Sequence, residues 1–192
     1  MGPPVDFVVT DDMATFIVGP ESQVFRIDRN QVMLASPLFH AFFTGEWAGP
    51  DKIYTLKQED PTLFHSFLQW IVSDVAPETE ETVEQQMVTN AKLWALGDRF
   101  LVPRFQNRVM NRYVDMVMEA TVSQLKDLAY SLYEIGIDGE SRIPKNVLQW
   151  RLSEEDQEAL WESGIMSAGL ALDQAEFRHS DWQKSDIHVH EI

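Results

Sequence analysis

The chain contains no cysteine in its 192 residues. That absence excludes disulfides, thiolate nucleophiles and the cysteine-bearing zinc sites together. Positive charge is scarce: 15 Lys and Arg face 31 Asp and Glu, for a formal net charge of −16. Phosphate recognition needs a basic footprint, so nucleic acid is excluded as a general partner. No apolar run approaches the roughly 20 residues that cross a bilayer, so no membrane partner is expected. There is no Asn-x-Ser/Thr acceptor, and the start MGPPVDFVVTDD has neither a basic n-region nor an apolar h-region. A secretory signal is therefore not expected, and the expected setting is intracellular, in cytoplasm or nucleus.

Catalytic signatures are missing as well. There is no Gly-x-Ser-x-Gly, no Walker loop and no Gly-x-Gly-x-x-Gly. Carboxylates abound, but no pattern pairs them in an apolar setting that would raise one pKa. His40 and His65 each lie among aromatic residues in a helical stretch, which reads as core or boundary. The one cluster with metal-ligand chemistry is HSDWQKSDIHVH, with His179, Asp181, Asp186, His188 and His190. His-x-His on a strand can point two imidazoles one way. This one lies in a polar terminal segment with no scaffold, so neither a metal nor a cofactor is expected, and the protein is not read as an enzyme.

What the chain does have is core material: 44% hydrophobic and 11% aromatic residues. Ala14 to Val18 and Gln23 to Ile27 alternate as strands about the turn Gly19-Pro20-Glu21-Ser22, which predicts a β-hairpin. Asp28 to Ala35 is a short helix. Ser36 caps a second, with Pro37 at its first position and Gly45 past its end. Lys52 to Leu56 is a third strand. Asp60-Pro61 opens a helix in which Phe64, Phe67, Leu68 and Ile71 share a face. The acidic, Pro-containing APETEET is an exposed loop.

A helix from Val83 to Leu96 places Val83, Met87, Ala91 and Trp94 together, and another from Pro103 buries Phe105, Val109, Tyr113 and Val117. Thr121 caps VSQLKDLAYSLYEIG. A break at IDGESR precedes PKNVLQWRL and the capped SEEDQEALWESG, and the residues from Ala175 are polar and irregular. Arg104, Arg108 and Arg112, four residues apart, form one helical stripe. It reads either as a solvated face or as a docking face for an acidic partner, the chain's own tail included. From Ser153 onward ten acids face only Arg178 and Lys184.

Several motifs in this order resemble a BTB/POZ domain, in particular that of short fungal proteins. DMATFIVG (Asp12 to Gly19) parallels the family's opening Asp-Val-Thr-Ile-Val-Val-Gly. FRIDRNQV (Phe25 to Val32) followed by SPLF (Ser36 to Phe39) parallels Phe-x-Val-His-Lys-x-x-Leu and Ser-Pro-x-Phe. IYTL and DPTLF parallel Ile-x-Leu and Asp-Pro-x-x-Phe, LGDRFLVPRF (Leu96 to Phe105) parallels Leu-Ala-Asp-Lys-Tyr-x-x-Pro-x-Leu, and FQNRVMNRYV is similar to the last helix of fungal members. The likeness covers Asp12 to Met118.

The resemblance implies an α+β fold, a small three-stranded sheet flanked by α-helices, to which the residues beyond Met118 add a helical C-terminal extension. The implied BTB/POZ domain is 5–119; the sequence texture beyond it adds a helical extension over 120–174 and an acidic tail over 175–192, expected to be poorly ordered. It implies a non-catalytic protein–protein interaction module whose partner is a second copy, with VDFVV a candidate strand pairing across the dimer. The implied interface residues are Asp12 and Arg29, as a charged pair, with Phe39, Phe42, Phe43 and Trp47. Asp12 and Arg29 also suit an ordinary intrachain bridge, and core packing would account for most of the phenylalanines. Asp28 stands where the family usually has His. Trp47, Ala48 and Gly49 stand where cullin adaptors carry a hydrophobic-x-Glu motif; Gly49 lacks that carboxylate, which weakens cullin recruitment. A cullin adaptor, or a monomeric Skp- or elongin-like subunit with an unlike partner, is the alternative.

Overall fold

The computed structural model describes residues 12–45, 52–75, 81–134, 147, 151–153, 155–156 and 159. The fold is α+β, and the chain forms two compact units, Met1–Val75 and Ala76–Ile192.

The first unit is organised by alternation. Strand β1 (Met13–Val18) turns Ala14, Phe16 and Val18 inward, and β2 (Gln23–Asp28) turns in Phe25 and Ile27. Their antiparallel register sets Phe16 opposite Phe25 and Ala14 opposite Ile27, so apolar side chains meet on one face. Gly19 makes the turn at φ +77°, and an added Cβ there would come within 2.7 Å of the Pro61 ring. The chain then runs through α1 (Arg29–Ala35) and α2 (Pro37–Thr44) before β3 (Ile53–Leu56) pairs parallel to β1. The sheet order is β2-β1-β3, with β1 central.

The helix starts follow their caps. Asp28 accepts the Gln31 N–H at 3.1 Å, and Ser36 Oγ accepts the Phe39 N–H at 3.1 Å, with Pro37 following as expected. Helix α3 (Pro61–Ser73) begins under Asp60, whose carboxylate accepts the N–H groups of Thr62 and Leu63. Phe64, Phe67, Leu68 and Trp70 are buried along it.

Phe16 is the hub of this core. Its ring centroid lies 5.2 Å from Phe39, 5.8 Å from Phe43 and 5.1 Å from Phe64, the first two contacts edge-to-face. Such pairs add roughly 0.5–1.5 kcal/mol each beyond the area they bury.

The second unit is helical. Helix α4 (Val83–Arg99) starts in a capping box between Thr82 and Gln85. Val83 was expected on the buried face but is exposed. It occupies the first position of the helix, before the packed turns begin. Helix α5 (Pro103–Glu119) buries Phe105, Val109, Tyr113 and Val117 as expected, and also Gln106, Met110 and Val114. Complete burial pushes the Tyr113 hydroxyl pKa above the usual tyrosine range.

The two helices approach closely at Gly97, where a Cβ would lie 2.8 Å from both Phe105 Cδ1 and Gln106 Cγ. Two buried polar side chains of this unit are bonded, whereas Trp94 Nε1 and Glu81 Oε2 are buried without a hydrogen-bond partner among the described residues. Asn90 Nδ2 donates to the Gln86 carbonyl at 2.7 Å, and Gln106 Nε2 donates to Asp98 Oδ1 at 3.2 Å. Helix α6 (Val122–Glu134) starts at Thr121, whose Oγ1 and N–H both engage Gln124. Leu125, Leu128, Ala129 and Leu132 of α6 are buried, and α6 packs on α4.

Candidate functional site

In the first unit the ladder ends at a charged pair. Beyond the Met13–Asp28 register position, the Arg29 N–H donates to the Asp12 carbonyl at 2.9 Å, which fixes the two backbones side by side. Arg29 Nη1 then pairs with Asp12 Oδ1, the two side chains being 17% and 45% exposed. The bridge is thus intrachain, and it ties the start of β1 to the first residue of α1. Arg29 Nε is buried with no hydrogen-bond partner among the described residues. Asp28, in the position where a histidine was the family expectation, is engaged as the α1 cap. It offers an accepting carboxylate rather than a donating imidazole.

The aromatic run divides sharply. Phe39 and Phe43, expected at an interface, are 0% and 2% exposed and pack on Phe16. This corrects the expectation: one turn apart on α2, both rings face the sheet and neither leaves surface for a partner. Phe42 is half-buried, with its ring 4.5 Å from Tyr54. Burial, with Glu59 nearby, raises the Tyr54 pKa. Trp47 lies outside the described residues, as do Ala48, Gly49 and VDFVV.

Leu34 lies near the C-terminal end of α1. At 89% exposed, it has the highest exposure of any large apolar side chain among the described residues. A signal for it was present. Val32 is buried on α1, and two helical steps of about 100° each turn Leu34 to the opposite side.

The arginine stripe is only partly open. Arg104 and Arg108 are exposed on α5, whereas Arg112 is half-buried and donates Nη2 to Gln86 Oε1 of α4 at 3.2 Å. His40 and His65, read as core or boundary, are exposed. Each follows an inward-facing phenylalanine by one residue on its helix, which turns it outward, and His65 stacks 6.1 Å from the Phe25 ring. Among the described residues no group of three His, Asp or Glu could hold a metal ion. The tail residues His179, Asp181, Asp186, His188 and His190 lie outside them. Among the same residues no helix is long and apolar enough to cross a membrane.

No protein-family model matches the chain, and no curated protein matches it.

Proposed function

We propose that this chain is a non-catalytic protein–protein interaction module with a BTB/POZ fold, associating with a second copy of itself. The observation that carries the reading is Leu34, held almost fully in solvent on a short helix whose first residue, Arg29, is anchored to β1. Burying a leucine of this exposure gains roughly 1.5–3 kcal/mol, and a two-fold interface would gain it twice. Phe42 is a partly exposed aromatic residue on the next helix, and the Asp12–Arg29 pair fixes the first residue of α1 beside the start of β1. The element order supports the reading: a hairpin, two short helices, a parallel third strand, then longer helices, with Ser36 and Asp60 capping α2 and α3.

Light scattering after size exclusion, over a wide concentration range, tests the reading. The expected result is a dimer that Leu34→Glu converts to monomer without loss of helical content. A wild-type chain that stays monomeric, or a dimer indifferent to Leu34→Glu, refutes it. A pull-down with a cullin N-terminal domain separates this reading from the adaptor alternative.

A further inference from the structure

The segment around Ser153 is tied to α6 by a short relay of polar contacts. Ser153 is exposed, and its Oγ donates to Asp156 Oδ2 at 2.7 Å while accepting the Asp156 N–H at 3.2 Å. The other oxygen of Asp156 pairs with Lys126 Nζ of α6 at 2.7 Å. Two residues earlier, Arg151 Nη2 donates to the Met118 carbonyl near the end of α5, and Leu152 between them is buried. The hydroxyl proton of Ser153 is therefore one link in the chain Ser153–Asp156–Lys126. Asp156 responds to both partners: the Lys126 hydrogen bond first, then Ser153, holds its carboxyl below the usual range.

The geometry points to Ser153 as a phosphorylation site, modified by a serine kinase that prefers acidic residues after its target, with the phosphate releasing this segment from α6. In the transfer, Oγ attacks the γ-phosphorus of ATP. The bond from that phosphorus to the β,γ-bridging oxygen breaks, ADP leaves, and the hydroxyl proton passes to the kinase's base. Ser153 is exposed, and Glu154, Glu155, Asp156 and Glu158 occupy the first, second, third and fifth positions after it in the sequence.

The consequence follows from the proton that is lost. The ester oxygen cannot donate, so the bond holding Asp156 Oδ2 disappears. In its place a group of about −1.5 to −2 charge stands against a carboxylate that was in hydrogen-bond contact. Lys126 brings a single positive charge to a stretch that then carries the phosphate and four carboxylates. The Asp156 N–H, which Ser153 Oγ now accepts, can still bond a phosphate oxygen. It does nothing to hold the Asp156 side chain on Lys126.

The test is to treat the full chain with an acidic-directed serine kinase and Mg-ATP, locate the phosphate by peptide mass spectrometry, and follow amide hydrogen exchange. We expect one phosphate on Ser153, absent from Ser153→Ala, and a several-fold rise in exchange across 122–134. Lys126→Met should show that rise before any kinase is added and little more afterwards. Phosphate elsewhere but not on Ser153 overturns the proposal. So does phosphate on Ser153 with exchange unchanged or slowed, the slowed case meaning that Lys126 has moved onto the phosphate.

Discussion

Replacing Gly97 with alanine sets two effects of known sign against each other. In the interior of a helix the change from glycine to alanine is favourable by about 1 kcal/mol, through backbone entropy alone. At this position the new methyl would stand 2.8 Å from Phe105 Cδ1 and from Gln106 Cγ, well inside ordinary carbon–carbon contact. Neither neighbour has free space to move into. Both are buried, and the Gln106 amide is held on Asp98. Forcing a methyl into such a contact costs roughly 1–3 kcal/mol, and two close contacts favour the upper half of that range. The net is a loss of about 1–2 kcal/mol, or about 2–8 °C in Tm for a chain of this size. Thermal unfolding followed by far-UV circular dichroism measures it. In a Gln106→Ala background the Cγ contact is gone, so the same substitution should cost measurably less. A Gly97→Ala protein as stable as the parent, or more so, would refute the claim that α4 and α5 meet in rigid contact there.

At Gly19 both effects have the same sign. Alanine would have to adopt φ +77° and would meet the Pro61 ring at 2.7 Å. The left-handed conformation costs about 1–2 kcal/mol and the clash adds about as much again, so the expected loss in a urea titration is about 2–4 kcal/mol. The Lys126–Asp156 contact gives a pH signature. Because the Asp156 pKa is lowered in the folded state, its contribution is fully present above the ordinary carboxylate range and is lost as pH falls through the depressed value. A carbon-detected NMR titration should place the Asp156 midpoint below that of a free aspartate, and Lys126→Met should move it back up.

Much of this arrangement is legible from residue order alone. The hairpin follows from strict alternation about Gly19, and the starts of α2 and α3 follow from Ser36-Pro37 and Asp60-Pro61, because each cap names its own first turn. The candidate surface was less legible. On α2, Phe39, Phe42 and Phe43 span three positions of a helix of eight residues, too short for periodicity to say which ring faces the sheet. Only the three-dimensional path of β1 places Phe16 beneath Phe39 and Phe43 and leaves Phe42 at the margin. Leu34 is ambiguous for the opposite reason: an apolar residue in an apolar run reads as core until its phase relative to Val32 is counted. The Ser153–Asp156 half of the relay is a local cap, whereas its link from Asp156 to Lys126 joins residues far apart in the chain and has no local pattern.

The central position of β1 also dictates an order of assembly. Its pairing with β2 closes over the short turn at Gly19, a local event of roughly microseconds. Its pairing with β3 runs parallel, so it must wait until α1 and α2 have carried the chain back across. A nascent chain that has emerged as far as Thr44 can therefore already set Phe39 and Phe43 against Phe16. The remaining sides of that ring stay wet until Tyr54 and Phe64 arrive. During synthesis the edge of β1 that will receive β3 is the last part of the sheet to close, and a competing strand has its opportunity in that interval.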